Sequence, residues 1–448
     1  MDTAKEERPA GVPGRAKQAG ELRARWAWVE PSVWTDRMLE ALENGVQGGK
    51  WFSVMDKVYR CENLRAAFRE VAANKGAPGV DHVTIEEFSR EEEAQLQGLE
   101  RALKEGTYQP QAIRRTYIPK PGSREKRPLG IPTIRDRTAE AAMRHVIEPI
   151  FERTFAERSY GFRPGRGCKD ALREVDRLLQ AGYRHVVEAD WKSYFDSIPW
   201  GPLLERVGEQ IADGRVLGLI KAFLEQGVME AGRVHAATEG TPQGGVISPL
   251  LANIYLNPLD HRMAERGYVM IRYADDLVVL CQSQAEAQAA LEELRAWTTG
   301  AGLQLHPEKT RVLDMNEPGE GFDFLGYHFA YTRTGKLDRW PRTKSLRKLK
   351  DSIRAATRRC HGHSLSTAIQ RTNRITRGWF EYYKHSNRYT FQSLDGWIRQ
   401  RLRALLRHQQ HRKGRAGGRD HLHWPNAYFA AQGLFSMVRA RAVALQSP

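Results

Sequence analysis

The sequence predicts an α+β fold in more than one domain. Three observations lead there. Helix-period and strand-period segments follow one another without a regular βαβ repeat, which argues against a doubly wound parallel sheet. Two segments, 114–136 and 270–281, read as β-hairpins, so their strands run antiparallel. Charge, finally, divides the chain. Residues 331–448 hold 26 Lys and Arg against 5 Asp and Glu, a net of +21, whereas residues 1–330 hold 44 against 49, a net of −5. A near-neutral body is followed by a basic one, and a total of +16 over 448 residues points to an anionic partner, nucleic acid above all.

The elements follow in order. Residues 1–30 are charged, with Pro and Gly, and are expected to be flexible. Residues 31–70 become amphipathic, and LRAAFREVAAN (64–74) spaces its apolar residues as a helix does. KGAPGVDH (75–82) breaks the pattern, and 84–105 resumes it. In RRTYIPKPGSREKRPLGIPTIRD (114–136), Thr116–Ile118 is a strand, KPGSREK an exposed basic turn, and Pro128–Ile134 the way back. Pro119, Pro128 and Pro132 suit an edge position only. Helices are expected over 137–156, 168–181, 200–226 and 284–299, a strand over His185–Ala189, and short strands over 301–330. TEGTPQGGVISPLLANIYLNPLD (238–260) is a Gly/Pro loop feeding an apolar helix, and 343–410 is helical and basic.

Several classes are excluded. Cys61, Cys168, Cys281 and Cys360 lie far apart with no C-x-x-C pair, against a zinc ribbon or a disulfide framework. His361, His363, His408, His411, His421 and His423 cluster in the basic third, but without thiols and among many cations no zinc site is expected. The first residues hold no apolar core for a signal peptide, and no run of about 18 apolar residues exists to span a membrane. The expectation is a soluble, reduced, intracellular protein with no membrane partner, in the cytosol and associated with the nucleoid.

The chemistry is concentrated in RYADDLVVL (272–280), where Asp275 and Asp276 stand side by side before an apolar run. Strand neighbours point to opposite faces, so the pair can share a site only near a hairpin turn. A divalent cation between them relieves the repulsion, and Mg²⁺ takes carboxylates together with phosphate oxygens and water. Such a site needs another acid. EADWKSYFDSI (188–198) offers Asp190 at the end of a strand and Asp196 six residues on. Asp190 beside the pair would hold two metals about 3.5–4 Å apart, the arrangement that serves in-line phosphoryl displacement. The competing reading is a solvated Asp-Asp turn with Asp190 as a helix cap.

The neighbouring motifs favour the first. NKGAPGVD (74–81), YIPKPGSREKRPLGIPTIRDR (117–137), ERSYGFRPGRG (157–167), EADWKSYFDSI, GTPQGGVISPLLANIYL (240–256), RYADDLVVL, GLQLHPEKT (302–310) and FDFLGYHF (322–329) stand in this order. Together they resemble the group II intron-encoded reverse transcriptase/maturase family. The resemblance implies a right-hand polymerase: an N-terminal extension over 1–56, fingers and palm over 57–330, a helical thumb/maturase domain over 331–413, and a short nucleic-acid-binding tail over 414–448 with no endonuclease domain. It implies that Asp190, Asp275 and Asp276 hold two Mg²⁺ ions, for which Mn²⁺ could substitute. Asp196 is expected to bond backbone nearby rather than a metal.

For the dNTP, the resemblance implies Lys120 and Arg127 at the triphosphate, Gln243 at the incoming nucleotide, and Phe195 under the sugar, where its ring excludes a 2′-OH. Lys309 would protonate the leaving pyrophosphate. The competing readings are a solvated basic loop for the first two, a plain turn for Gln243, a core aromatic for Phe195 and a surface lysine at 309. Arg163 and Arg166 are expected on template phosphate, and FLGY (324–327) at the primer end.

In the basic third, Arg347, Lys350 and Arg354 share one helical face while Leu346, Leu349 and Ile353 share another. RGWFEYY (377–383) and WPNAYFAAQGLF (424–435) resemble the family's maturase domain. The implied function is RNA-directed DNA polymerisation on a group II intron RNA, with assistance to its splicing. The implied partners are intron RNA, an RNA template with a DNA primer, and a DNA target site, with no obligate protein partner. Two alternatives stand beside it: a domesticated stand-alone reverse transcriptase, and a splicing cofactor with a silent polymerase.

Overall fold

The computed structural model describes residues 14–46, 48–119, 126–359, 362–412 and 417–445, without the side chains of residues 14–19 and 127. It opens with helices α1 (Gly14–Arg25), α2 (Asp36–Asn44), α3 (Met55–Val58), α4 (Cys61–Ala73), α5 (Ile85–Arg90) and α6 (Glu92–Glu105). Thr35 caps α2, and Thr84 with Glu87 forms a capping box at α5. Residues 14–30, read from composition as flexible, differ. They form α1 and then bury Trp26 and Val29, just ahead of Val33 and Trp34 in the same core. The Trp34 indole donates to the His145 carbonyl at 2.9 Å, which ties this segment to the centre of the chain.

Strands β1 (Ile113–Pro119) and β2 (Lys126–Ile131) pair antiparallel as the proline pattern allows. Helix α7 (Ile134–Glu152) follows, three residues earlier than its periodicity predicts, because Thr133 accepts from Asp136 N and starts it there. Next come α8 (Cys168–Gln180), β3 (His185–Ala189), α9 (Trp200–Gln210) and α10 (Gly214–Glu225). The expected single helix over 200–226 is two, because Asp213 caps α10 and also accepts from Val54 N and Met55 N. Two strands too short for periodicity to reveal, β4 (Val228–Glu230) and β5 (Arg233–His235), extend the first sheet to β2-β1-β4-β5.

The chain continues through α11 (Ser248–Glu265), β6 (Val269–Tyr273), β7 (Asp276–Cys281), α12 (Gln284–Gly300) and β8 (Arg311–Asp314). The second sheet has the order β6-β7-β3-β8, all antiparallel. Its side chains alternate between two buried faces. Val187, Ala189, Met270, Leu277 and Val279 join the large core that includes α11 and α12. Val186, Ile271, Val278 and Leu280 join Ala171, Val175 and Leu178 of α8. With both faces covered, Leu277–Leu280 can be continuously apolar, and each such side chain contributes about 1.5–3 kcal/mol on burial. A third sheet, β9 (Gly321–Phe324), β10 (Tyr327–Tyr331) and β11 (Leu337–Pro341), packs on the second face in the order β11-β10-β9.

The basic third is helical: α13 (Thr343–Ala356), α14 (Leu365–Tyr383), α15 (Arg388–Gln409), α16 (Gly418–His423), α17 (Asn426–Ala431) and α18 (Met437–Ala444). Leu349, Ile353, Phe380, Phe391 and Leu402 share one core with Trp424, Phe429 and Met437. Residues 418–444, read as a tail, are therefore part of this body. Asp395 accepts from Ser436 Oγ at 2.7 Å, and Asp420 pairs with Arg407 at 2.9 Å. Among the described residues no helix is long and apolar enough to cross a membrane.

Candidate active site

Register places the acids. Tyr273 pairs with Asp276, which leaves Ala274 and Asp275 at the tip of the β6–β7 hairpin. Ala274 has φ +57°, a left-handed conformation that costs an L-residue about 1–2 kcal/mol. The tip is held from behind. Arg272 Nη1 donates to the Ala274 carbonyl at 2.9 Å, and Gly161 lies so close that a Cβ there would overlap the Ala274 nitrogen. Arg272 itself is fully buried. It forks onto Asp260 at 2.8 and 2.5 Å and also donates to Asn253 and Ser159 at 2.9 and 2.8 Å. Every part of its guanidinium is thus satisfied, as a buried charge requires.

β3 ends with Ala189 opposite Leu277, so Asp190 emerges beside Asp276. Asp190 and Asp276 line one cavity with Glu188, Lys309 and Arg342. The Asp190 carbonyl accepts from His306 N at 2.7 Å, and its Oδ2 receives Lys309 Nζ at 2.5 Å. The Asp276 carboxyl is pushed up to about 6, by lost hydration and then by the charges of Asp275 and Asp190, against Arg342 and Lys309. Because Asp276 is exposed, we give the repulsion the greater weight. Among the described residues no three His, Cys, Asp or Glu side chains are closed into a finished metal cage. The donor set nonetheless suits a hard cation: three carboxylates within mutual electrostatic reach, one of them already neutralised by an ammonium.

Of the residues expected at the nucleotide, Phe195 and Gln243 can be placed. Phe195 is half-buried and edge-on to Tyr194 at 5.5 Å. Gln243 Nε2 donates to Asp196 Oδ2 at 3.1 Å, so Asp196 orients a side chain rather than only backbone. Gly130 N of β2 donates to the Gln243 carbonyl at 2.6 Å, and a Cβ on Gly244 would overlap the Gly130 carbonyl. That contact fixes the β1–β2 hairpin over Gln243. Arg127 lies in β2 opposite Ile118, its side chain outside the description, and Lys120 lies outside the described residues.

Arg163 departs from expectation, and Glu140 is a residue the motifs do not reveal. Arg163 cannot reach template phosphate. Its side chain is 2% exposed, paired with Glu152 at 2.7 Å and bonded to the carbonyls of Ala156 and Ser159. Arg166, part-exposed, gives one nitrogen to the Glu157 carbonyl and stacks over Tyr160, which leaves donors for a phosphate. Glu140 was not singled out by the sequence. It is buried beneath the loop that carries Gln243, accepts from Val246 N and from Ile247 N (3.3 Å) at the start of α11, and is pushed up to about 7 by burial.

The reverse transcriptase (RNA-dependent DNA polymerase) family matches residues 118–329, and the group II intron maturase-specific domain matches residues 346–424. Protein YkfC of Escherichia coli is 34% identical over 352 residues, which cover 69% of this chain and 87% of YkfC. The chain belongs to the group II intron-encoded reverse transcriptase/maturase family. The group II intron-encoded protein LtrA of Lactococcus lactis is 32% identical over 345 residues, covering 62% of this chain and 56% of LtrA. Among solved structures, a chain of the partial Cas6-RT-Cas1--Cas2 complex has a TM-score of 0.37 and 23% identity over 55% of this chain and 42% of that one. This reverse transcriptase thus joins an RNA-dependent DNA polymerase domain, whose chemistry is metal-dependent nucleotidyl transfer, to a maturase domain that binds intron RNA.

Proposed function

We propose that this protein copies group II intron RNA into DNA with Asp190, Asp275 and Asp276 as its metal ligands, and that its helical domain holds the intron RNA for splicing. The observation behind this reading is the register of β3 against β7, which delivers Asp190 and Asp276 to one cavity beside Lys309. Two bound Mg²⁺ ions, or Mn²⁺ in their place, would supply charge stabilisation to the attacking and leaving oxygens. The residues do the rest. Lys120 and Arg127 grip the triphosphate, Gln243, oriented by Asp196, holds the incoming nucleotide, and Phe195 bars a 2′-OH. Lys309 delivers a proton to the leaving pyrophosphate. Exposed Arg347 and Arg354, on the α13 face opposite buried Leu349 and Ile353, meet RNA phosphate. The substrate is an RNA template with a DNA primer, which a DNA target site would supply.

The test is primer extension on an RNA template with Mg²⁺ and labelled dNTPs, wild type beside Asp275→Ala, with intron-RNA binding measured on both. Extension by wild type alone, with binding kept in both, is the expected result. Full extension by Asp275→Ala would sink the site assignment. Tight RNA binding with no extension by either would leave a splicing cofactor.

A further inference from the structure

The helical domain grips the third sheet at the β9–β10 turn, beside the acid-lined cavity. Phe324 pairs with Tyr327, which leaves Leu325 and Gly326 at the tip of the β9–β10 hairpin. Both have positive φ, +45° and +86°. This is the type I′ pattern, which Asn-Gly suits and a leucine does not. The helical domain takes both tip carbonyls. Tyr382 Oη of α14 donates to the Leu325 carbonyl at 2.7 Å, and Arg342 N, at the start of α13, donates to the Gly326 carbonyl at 2.9 Å. Tyr327 Oη donates in turn to the Tyr382 carbonyl at 2.7 Å. Gly326 has no room for more, since a Cβ would stand 2.7 Å from Tyr383 Oη.

Tyr382 also reaches the other hairpin. Tyr273, which begins the turn that bears the acids, packs with Leu325 and Tyr382 against one core cluster. The two tips are therefore built alike. Each strains one non-glycine residue, Ala274 or Leu325, and each has that residue's carbonyl held by a side chain, Arg272 or Tyr382.

The place of this turn says what it serves. Asp323, Phe324, Arg342 and Lys344 line the cavity into which Asp190 and Asp276 open, whereas Gln243 and β2 do not. In nucleotidyl transfer the growing strand must bring its 3′-hydroxyl to the metal-holding acids. With the nucleotide on the Gln243 side, the strand end occupies the side walled by Asp323 and Phe324, which lead into the 325–326 turn. We propose that Tyr382 is a positioning residue that seats the 3′ end of the growing strand, by fixing this turn against the acid-bearing hairpin. The inference rests on the polymerase reading above.

The test uses the full chain in primer extension, titrating the RNA–DNA duplex and the dNTP separately. Tyr382→Phe keeps the ring and deletes one bond. Tyr331→Phe is the matched control, because Tyr331 Oη donates to the Leu179 carbonyl at the same 2.7 Å in the same core cluster. Tyr382→Phe is expected to raise the KM for duplex about fivefold, the factor for one net hydrogen bond, with the KM for dNTP unchanged. Tyr331→Phe is expected to change neither. Leu325→Asn, which tolerates the left-handed region, is expected to restore the duplex KM in the Tyr382→Phe background. Gly326→Ala, whose added methyl would meet Tyr383 Oη and displace the turn with Tyr382 intact, is expected to raise the same constant, so the test stands even where Tyr382→Phe folds poorly. A wild-type duplex KM in Tyr382→Phe, or an equal rise in Tyr331→Phe, overturns the proposal. Absence of extension by wild type overturns the polymerase reading instead.

Discussion

Lys309 Nζ sits 2.5 Å from Asp190 Oδ2, so the lysine and an arriving cation compete for one carboxylate. The two side chains are 57% and 28% exposed, and a pair so wet contributes at most about 1 kcal/mol. On the proposed reading, a divalent ion at Asp190 would displace the ammonium at little cost and leave it free for the leaving phosphate. Lys309→Met is expected to slow extension about 10²-fold, the lower end of general-acid effects, with the Mg²⁺ half-saturation unchanged or lower. Recovery of the full rate at raised Mg²⁺ would show that Lys309 only shapes Asp190.

Arg272 separates stability from positioning. Removing one partner of a buried ion pair costs about 3–5 kcal/mol, so Arg272→Met is expected to lose that much in urea unfolding. The double variant Arg272→Met/Asp260→Leu leaves no orphaned charge and is expected to regain most of the stability. It does not restore the donor to the Ala274 carbonyl, so polymerase rate is expected to stay low. Rate returning together with stability would confine Arg272 to a structural role.

Why Arg272 escaped the sequence is physical. The block RYADDLVVL is legible because adjacent acids before an apolar run are a local anomaly, and the expected hairpin limits, 270 and 281, lie within one residue of Val269 and Cys281. A buried arginine is explained only by Asp260, Asn253 and Ser159, which are 12, 19 and 113 residues away. The one available signal was its place in VMIRY, a charge inside an otherwise apolar strand. Arg163 misled for the opposite reason. An arginine in a Gly/Pro loop reads as solvated, and nothing local announces that Glu152 comes from the preceding helix to cover it. Three-residue strands such as β4 and β5 are below the length at which a period of two can be read. Residues 418–444 form short helices whose stability comes from docking on Phe391 and Leu402 rather than from their own pattern.

Glu140 should give the fold a pH dependence. Its folded value, about 7, lies above the ordinary 4.5, so the folded state holds the proton more tightly than the unfolded chain. Stability from this group is complete below about pH 4.5 and is lost as pH rises through 7. Glu140→Gln keeps an oxygen for Val246 N and Ile247 N but has nothing to ionise. The variant is expected to lose this part of the slope between pH 4.5 and 7 and to exceed wild type by about 3 kcal/mol at pH 8, measured by urea unfolding across pH. An unchanged slope would mean that Glu140 stays ionised throughout.

Gly161 tests how finely the acids are placed. Its backbone is not in the left-handed region, so an alanine there is conformationally acceptable. The only objection is steric: the added methyl would occupy the space of the Ala274 nitrogen, with Tyr273 and Ala274 backbone the nearest atoms. The flanking bond from Tyr160 N to the Arg272 carbonyl, 2.9 Å, keeps residues 160–161 from retreating, so the hairpin tip must move instead. Overpacking of this kind costs about 1–3 kcal/mol, which lowers Tm without unfolding the chain. A shift of about 1 Å at a reacting group costs on the order of 10²-fold in rate. Gly161→Ala is therefore expected to lose about 10²-fold in kcat at saturating dNTP while intron-RNA binding stays at the wild-type level. Adding Ala274→Gly frees the tip to adjust its backbone and is expected to recover part of the rate. Near-normal kcat in Gly161→Ala would mean that the Asp275–Asp276 tip tolerates displacement, and that the hold of Arg272 and Gly161 on it serves folding alone.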